Sequence, residues 1–160
     1  MSITAYTTYD DVRAVLGVSA KDLSDETLSL AWYSDVLDEE LDKVSTTLVQ
    51  AFSTASSETT PSVAQQRLMR SVRIFASVAV ANSATAALRM FAPQQVTDGK
   101  AAMTRFSDPV KELAKEIATK LQSARDAVAA ALVAVETTSL TSTPRVWFSV
   151  VSPTSDPVTG

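Results

Sequence analysis

The chain is expected to be an all-α protein: three long helices bundled with a short N-terminal helix, a small hairpin loop near residues 94–106, and an extended C-terminal arm. Three observations predict this. Apolar residues recur at steps of three and four through three long segments, the spacing that gives a helix one apolar face. Helix-entry residues stand at the heads of those segments. With 46% apolar residues and 160 residues in all, one domain has enough material for a core.

The short helix is expected from about Tyr9 to Leu16. Thr8 with Asp11 three residues on suits a capping box, and Gly17 suits a C-terminal stop. The second helix is expected to begin at Ser24, with Asp25 and Glu26 in the first turn, where the helix dipole favours acids. Its apolar residues fall at Leu30, Tyr33, Leu37, Leu41, Val44, Leu48 and Phe52, which predicts one continuous stripe. The polar stretch 53–60 then reads as a flexible turn. The third helix is expected to open at Pro61, suited to a first-turn position, and to run to about Phe91. Its stripe is Leu68, Val72, Phe75, Ala79, Asn82, Ala86 and Met90, with Asn82 expected to be a satisfied polar group in the core. The small residues over 79–87 suit close approach between helices. The fourth helix starts after Ser107 and Asp108 with Pro109 first, carries Val110, Leu113, Ile117, Leu121, Ala124, Val128, Ala131 and Val135 inward, and runs out near Glu136. Short connections make the helices antiparallel neighbours in a bundle.

The connection at 92–108 is longer than a bundle needs. Asp98-Gly99 is a two-residue hairpin signal, and Met103, Arg105 and Phe106 follow it. This loop is expected to project from one end of the bundle toward a neighbouring subunit or ring. The competing reading is that Met103 and Phe106 cap the bundle's own core.

The chain divides into a helical domain, 1–136, and an arm, 137–160. The arm is rich in Ser, Thr and Pro, yet carries Val146, Trp147, Phe148, Val150 and Val151 in its middle. A solvated linker has no use for adjacent Trp and Phe, and 24 residues cannot build a core of their own. Pro144, Pro153 and Pro157 prevent a helix from running through it, so Pro144, Arg145 and the apolar residues that follow read as an extended docking segment.

Composition removes several function classes. The chain has no histidine and no cysteine, which removes the commonest general base, the Ser–His and Cys–His nucleophile pairs, the usual zinc ligands and any disulfide. Three glycines cannot build the Gly-rich phosphate loops. No catalytic residue, cofactor-binding residue or metal ligand is assigned. No apolar run reaches membrane-spanning length, and the opening MSITAYTTYDD lacks the basic and apolar regions of a signal peptide. Trp32 reads as a core or interface residue.

Charge is segregated along the chain. Residues 1–60 hold three bases against eleven acids, a net of −8, whereas residues 61–160 hold eleven bases against seven acids, a net of +4. Asp35, Asp38, Glu39, Glu40 and Asp42 crowd the second helix, and Arg67, Arg70 and Arg73 recur on the third. Two readings stand: solvated faces with ordinary pairs inside one subunit, or complementary faces on neighbouring copies, since a head-to-tail contact can close a ring. The second assigns Asp35, Asp38, Glu39, Asp42, Arg67, Arg70 and Arg73 to inter-subunit contacts.

The opening TTYDDVRAVLGVSAKDLSDETLSLAWYSDVLDEEL, the loop VTDGKAAMTRFSDP and the tail PRVWFSVVSPTSDPVTG together resemble the head–tail connector, or adaptor, proteins of tailed bacteriophages. The resemblance covers most of the chain. It implies a non-enzymatic virion structural protein that needs no cofactor. Such a protein is a subunit of a homo-oligomeric ring, usually of twelve, beneath the portal at the neck of a virion assembled in the host cytoplasm. The ring extends the DNA channel, DNA passes through the lumen without sequence-specific binding, and the next tail component (nozzle, stopper or tail tube protein) binds below. The C-terminal arm, Pro144–Val151 above all, would engage the portal. The alternatives are a helical interaction or scaffolding module of another assembly and a DNA-binding protein. Tyr9–Leu16, the GVS turn and the next helix have a helix-turn-helix look, but the helix that would enter the groove is acidic, and phosphate contact needs the reverse.

Overall fold

The computed structural model describes residues 2–88, 97–98, 101–102 and 109–141, with side-chain surroundings for 2–85 and 111–138. The described chain is mainly helical. A 3-10 turn over Ile3–Ala5 leads into α1 (Tyr9–Leu16), α2 (Asp25–Leu28), α3 (Ala31–Val44), α4 (Leu48–Ser57), α5 (Val63–Leu88), the two-residue strands β1 (Thr97–Asp98) and β2 (Ala101–Ala102), and α6 (Pro109–Thr141).

The local signals at α1 are realised in full. The Thr8 hydroxyl accepts from the Asp11 amide at 3.2 Å, and the Asp11 carboxylate accepts from the Thr8 amide at 3.4 Å. Gly17 takes a left-handed conformation, φ 67°, and ends the helix. Open space surrounds the position its Cβ would occupy, so a larger residue there meets only the backbone penalty of positive φ.

The second helix is not continuous. It divides into α2, α3 and α4, so among the described residues two helices, α5 and α6, are long where three were expected. Ser29 closes α2, its hydroxyl donating to the Glu26 carbonyl at 2.8 Å, and Leu30 sits extended at φ −58°, ψ 139°. Leu30 is therefore 56% exposed instead of lying in the core. Ser45 is extended at φ −168°, ψ 140°, and its hydroxyl accepts from the Thr47 amide at 3.2 Å. Serine and threonine side chains offer the backbone an alternative to the helical ladder. The apolar spacing survives both breaks because Tyr33, Leu37, Leu41 and Leu48 are all buried.

Helix α5 begins at Val63, two residues later than expected, because Ser62 is the better cap. Its hydroxyl accepts from the Gln65 amide at 3.3 Å, while its own amide donates to the Gln65 side chain at 2.7 Å. Leu68, Val72, Phe75 and Ala79 lie inside as the spacing predicts, whereas Asn82 is exposed. The inward face near the C-terminal end is Ala81, Ala84 and Thr85 instead, with the Thr85 hydroxyl returned to the Ala81 carbonyl at 2.8 Å. Every residue from Phe75 to Ala81 is buried. Helix α5 is thus the central element: α1, α3, α4 and α6 all pack on it, α6 most extensively. Its alanines, Ala76, Ala79, Ala81 and Ala84, let those neighbours come close.

Helix α6 opens at Pro109 as expected but continues past Glu136 to Thr141, so the boundary between bundle and arm lies later than 136. Thr137 and Thr138 turn their hydroxyls back to the carbonyls of Val133 and Ala134, the latter at 2.7 Å. Ile117, Ala124, Val128, Ala131 and Leu132 face inward. Strands β1 and β2 pair antiparallel, Thr97 with Ala102 and Asp98 with Ala101. That register puts Asp98 in the strand rather than in the two-residue turn expected at Asp98-Gly99.

The N-terminal segment is tied to this body by polar links as well as apolar ones. The Thr7 and Ser77 hydroxyls meet at 2.6 Å in a buried contact between the chain start and α5. Arg13 is buried, 6% exposed: its Nε donates to the Leu23 carbonyl at 2.8 Å, one Nη to Asp10 at 2.8 Å, and the other to Asp25. The Asp25 hydrogen bond, helped by Asp10, holds this guanidinium even more firmly protonated than usual. One side chain thereby joins α1, the 17–24 connection and the head of α2.

Candidate functional site

The described surface concentrates its unusual features on the outer faces of α3 and α5. On α3, Asp35, Glu39 and Asp42 are exposed and Asp38 is half-buried. Glu39 pairs with Lys43 one turn on, at 2.9 Å. Glu40 points the other way: Lys43 reaches one carboxylate oxygen at 2.9 Å, and Arg125 of α6 reaches the other at 2.6 Å. Burial raises the Glu40 pKa, but the hydrogen bonds from Lys43 and Arg125 outweigh it and hold the carboxyl below its ordinary 4.5. Glu40 is accordingly a clamp between helices of this one chain.

On α5, Arg67, Arg70 and Arg73 are all exposed, yet their roles differ. Arg73 meets Asp11 of α1 through two nitrogens, at 2.9 and 2.7 Å. Those hydrogen bonds, followed by the ones from Thr8, hold the Asp11 carboxyl below its ordinary 3.8. Arg73 is thus engaged within its own chain, and its partner is Asp11 rather than the 35–42 segment. Arg67 and Arg70 form no ion pair among the described residues, and neither do Asp35 and Asp42. Neighbouring acids behave as sequence adjacency dictates: Asp10 turns to Arg13 while Asp11 turns to Arg73.

Large apolar side chains are also exposed here. Trp32, in the first turn of α3, is 67% exposed, which removes it from the core and leaves the interface reading. Val63 and Ile74 of α5 are 75% and 54% exposed. Val63 and Ile74 were not singled out from sequence; their spacing to Arg67 and Arg70 was the available signal. The described residues also line two shallow depressions. One, of about 330 Å³, lies between the N-terminal turn and α4, lined by Tyr6, Val49 and Phe52 with Ser53, Ser56 and Ser57 at its rim. The rings of Tyr6 and Phe52 stand 5.1 Å apart at 45°. Burial, with the charges of Asp38 and Asp42, pushes the Tyr6 phenol pKa upward, so it stays neutral. The other, of about 220 Å³, lies between α1 and α5 beside the Asp11–Arg73 pair.

Among the described residues no group of three or more acids is placed to hold a metal, and no helix is long and apolar enough to cross a membrane. The projecting-loop residues Met103, Arg105 and Phe106 and the arm residues Pro144, Arg145, Val146, Trp147, Phe148, Val150 and Val151 lie outside the described residues. Comparison of the chain with protein-family models, with curated proteins and with solved structures finds no match.

The two clamps make the subunit acid-sensitive. Asp11 and Glu40 both have folded pKa values below their unfolded ones, so their stabilisation is complete above the unfolded values and is lost as pH falls through the folded ones. The Tm contribution of the two carboxylates should hold from neutral pH to near 4.5 and then fall as pH drops below 4.5 for Glu40 and below 3.8 for Asp11. Glu40→Gln combined with Asp11→Asn should lower Tm at neutral pH and flatten the acid slope. An unchanged slope in the double variant would place the acid sensitivity in other carboxylates.

Proposed function

We propose that this chain is a subunit of the adaptor ring that joins a phage portal to the tail, a non-enzymatic structural protein that docks on the portal through its C-terminal arm. One observation carries the reading: among the described residues Asp35 and Asp42 on the outer face of α3 and Arg67 and Arg70 on the outer face of α5 make no ion pair, although α3 and α5 pack together. The arginine and glutamate that do make internal clamps, Arg73 and Glu40, take other partners. Opposite charges on separate faces suit a repeated head-to-tail contact, which closes when the rotation per copy divides a full turn. The resemblance of the opening segment, the 96–109 loop and the tail to connector proteins supplies the assembly: twelve copies, a portal above, a nozzle, stopper or tube protein below, and DNA in the lumen.

Native mass spectrometry and negative-stain imaging of the purified chain, alone and mixed with a portal ring, test the reading. Closed rings that bind the portal are the expected result. A monomer at every concentration that neither assembles nor associates with the portal overturns it.

A further inference from the structure

Helix α3 carries one outward stripe. At 3.6 residues per turn, Trp32, Asp35, Glu39 and Asp42 fall within about 80° of each other on the side opposite Tyr33, Leu37 and Leu41, and all four are exposed. Helix α5 carries another. Val63, Arg67, Arg70 and Ile74 fall within about 60°, opposite Leu68, Val72 and Phe75, and again all four are exposed. Both stripes run about 15 Å at 1.5 Å per residue. One reads apolar, acid, acid, acid; the other reads apolar, base, base, apolar. Laid side by side in either direction, Trp32 meets an end valine or isoleucine while Asp35 and Glu39 come level with the two arginines.

We propose that these stripes form the seam between copies: the Trp32–Asp35–Glu39–Asp42 face of one subunit packs on the Val63–Arg67–Arg70–Ile74 face of the next. This rests on the self-assembly in the proposed function and specifies its contact. The occupant is a second copy because charge sign, length and the apolar position at the Trp32 end match within this one chain, and Asp42 at the other end falls beside the remaining apolar residue and stays at the solvated rim. The contact is heterologous, because each stripe complements the other and repels itself. Trp32 is the anchor at one end of the contact, since it is the largest exposed apolar side chain of either stripe and brings the most apolar area to be covered. The acids and arginines set register and partner choice. Arg73 stands outside the seam because it lies about 60° round the helix from Arg70 and is held there by Asp11, whereas Glu39 stays on the seam stripe although it also meets Lys43 of its own helix at 2.9 Å.

The test uses two full-length charge-reversed variants, Arg67→Glu with Arg70→Glu, and Asp35→Lys with Glu39→Lys. Each alone presents stripes of like sign and should remain monomeric where the parent assembles. Mixed in equal amounts, they restore opposite signs at every junction and should assemble again as alternating rings. Trp32→Ala should raise the concentration needed for assembly by about tenfold or more, with unchanged helicity by circular dichroism. Normal assembly of both reversed variants beside an assembling parent overturns the seam and leaves the ring standing. So does a mixture that stays monomeric while both variants keep parental helicity and the parent assembles. A monomeric parent overturns the seam and the ring together.

Discussion

Phe75→Ala is expected to cost the subunit about 3–5 kcal/mol of folding stability, the range for removing a large aromatic side chain from a core. Phe75 is fully buried on the one helix that every other long element touches. Its helix neighbours Ala76 and Ala79 are small and buried, so neither can fill the space left behind. Whole domains are stable by only about 5–15 kcal/mol, so this loss is a large share of the total. Urea denaturation followed by circular dichroism measures it, with Arg67→Ala as a surface control expected within about 0.5 kcal/mol of the parent. A loss under about 1 kcal/mol for Phe75→Ala would mean that the core does not centre on α5.

Deleting residues 144–160 is expected to abolish portal attachment while leaving a folded, helical subunit. Pro144, Pro153 and Pro157 favour extended backbone, and between them Val146, Phe148 and Val150 alternate with Trp147 and Val151. Such a segment can add to a sheet edge or fill a groove, with backbone hydrogen bonds giving affinity and alternate side chains giving selectivity. Ordering it costs entropy at each copy, and a ring of copies offsets that cost through multivalency. The deletion starts beyond the end of α6 at Thr141, so the helical body is untouched. Pull-down against a portal ring and a thermal melt decide the matter. Retained attachment would show that docking does not need the segment, and a large fall in Tm would show the segment to be part of the subunit's own fold; either result overturns the docking arm.

What could be read from the chain beforehand was local. The Thr8–Asp11 box, the Gly17 stop, the Pro109 start and the buried run Leu68, Val72, Phe75 and Ala79 each depend on a few residues whose chemistry is sufficient by itself. The breaks at Ser29–Leu30 and Ser45–Thr47 were hidden because Tyr33, Leu37, Leu41 and Leu48 keep helical spacing across them. Spacing records which side is apolar; it does not record where a hydroxyl has captured the backbone. Asn82 was misplaced for a related reason. The 68–79 stripe was extended as a straight line, whereas packing on several sides shifts the buried face to Ala81, Ala84 and Thr85. The arginines needed tertiary information altogether: only the approach of α1 to α5 separates Arg73 from Arg67 and Arg70. Arg13 had a weak signal, as the first base in an acidic opening with Asp10 and Asp25 near it.

The burial of α5 on all sides from Phe75 to Ala81 orders how the molecule comes apart. Amides there can meet water only when α1, α3, α4 and α6 have left, so their exchange reports global unfolding. The four-residue α2 and the outer turns of α4 need no such event and should exchange through small local openings. A subunit built this way can let its rim breathe, and adjust to a neighbour, while its axis stays fixed.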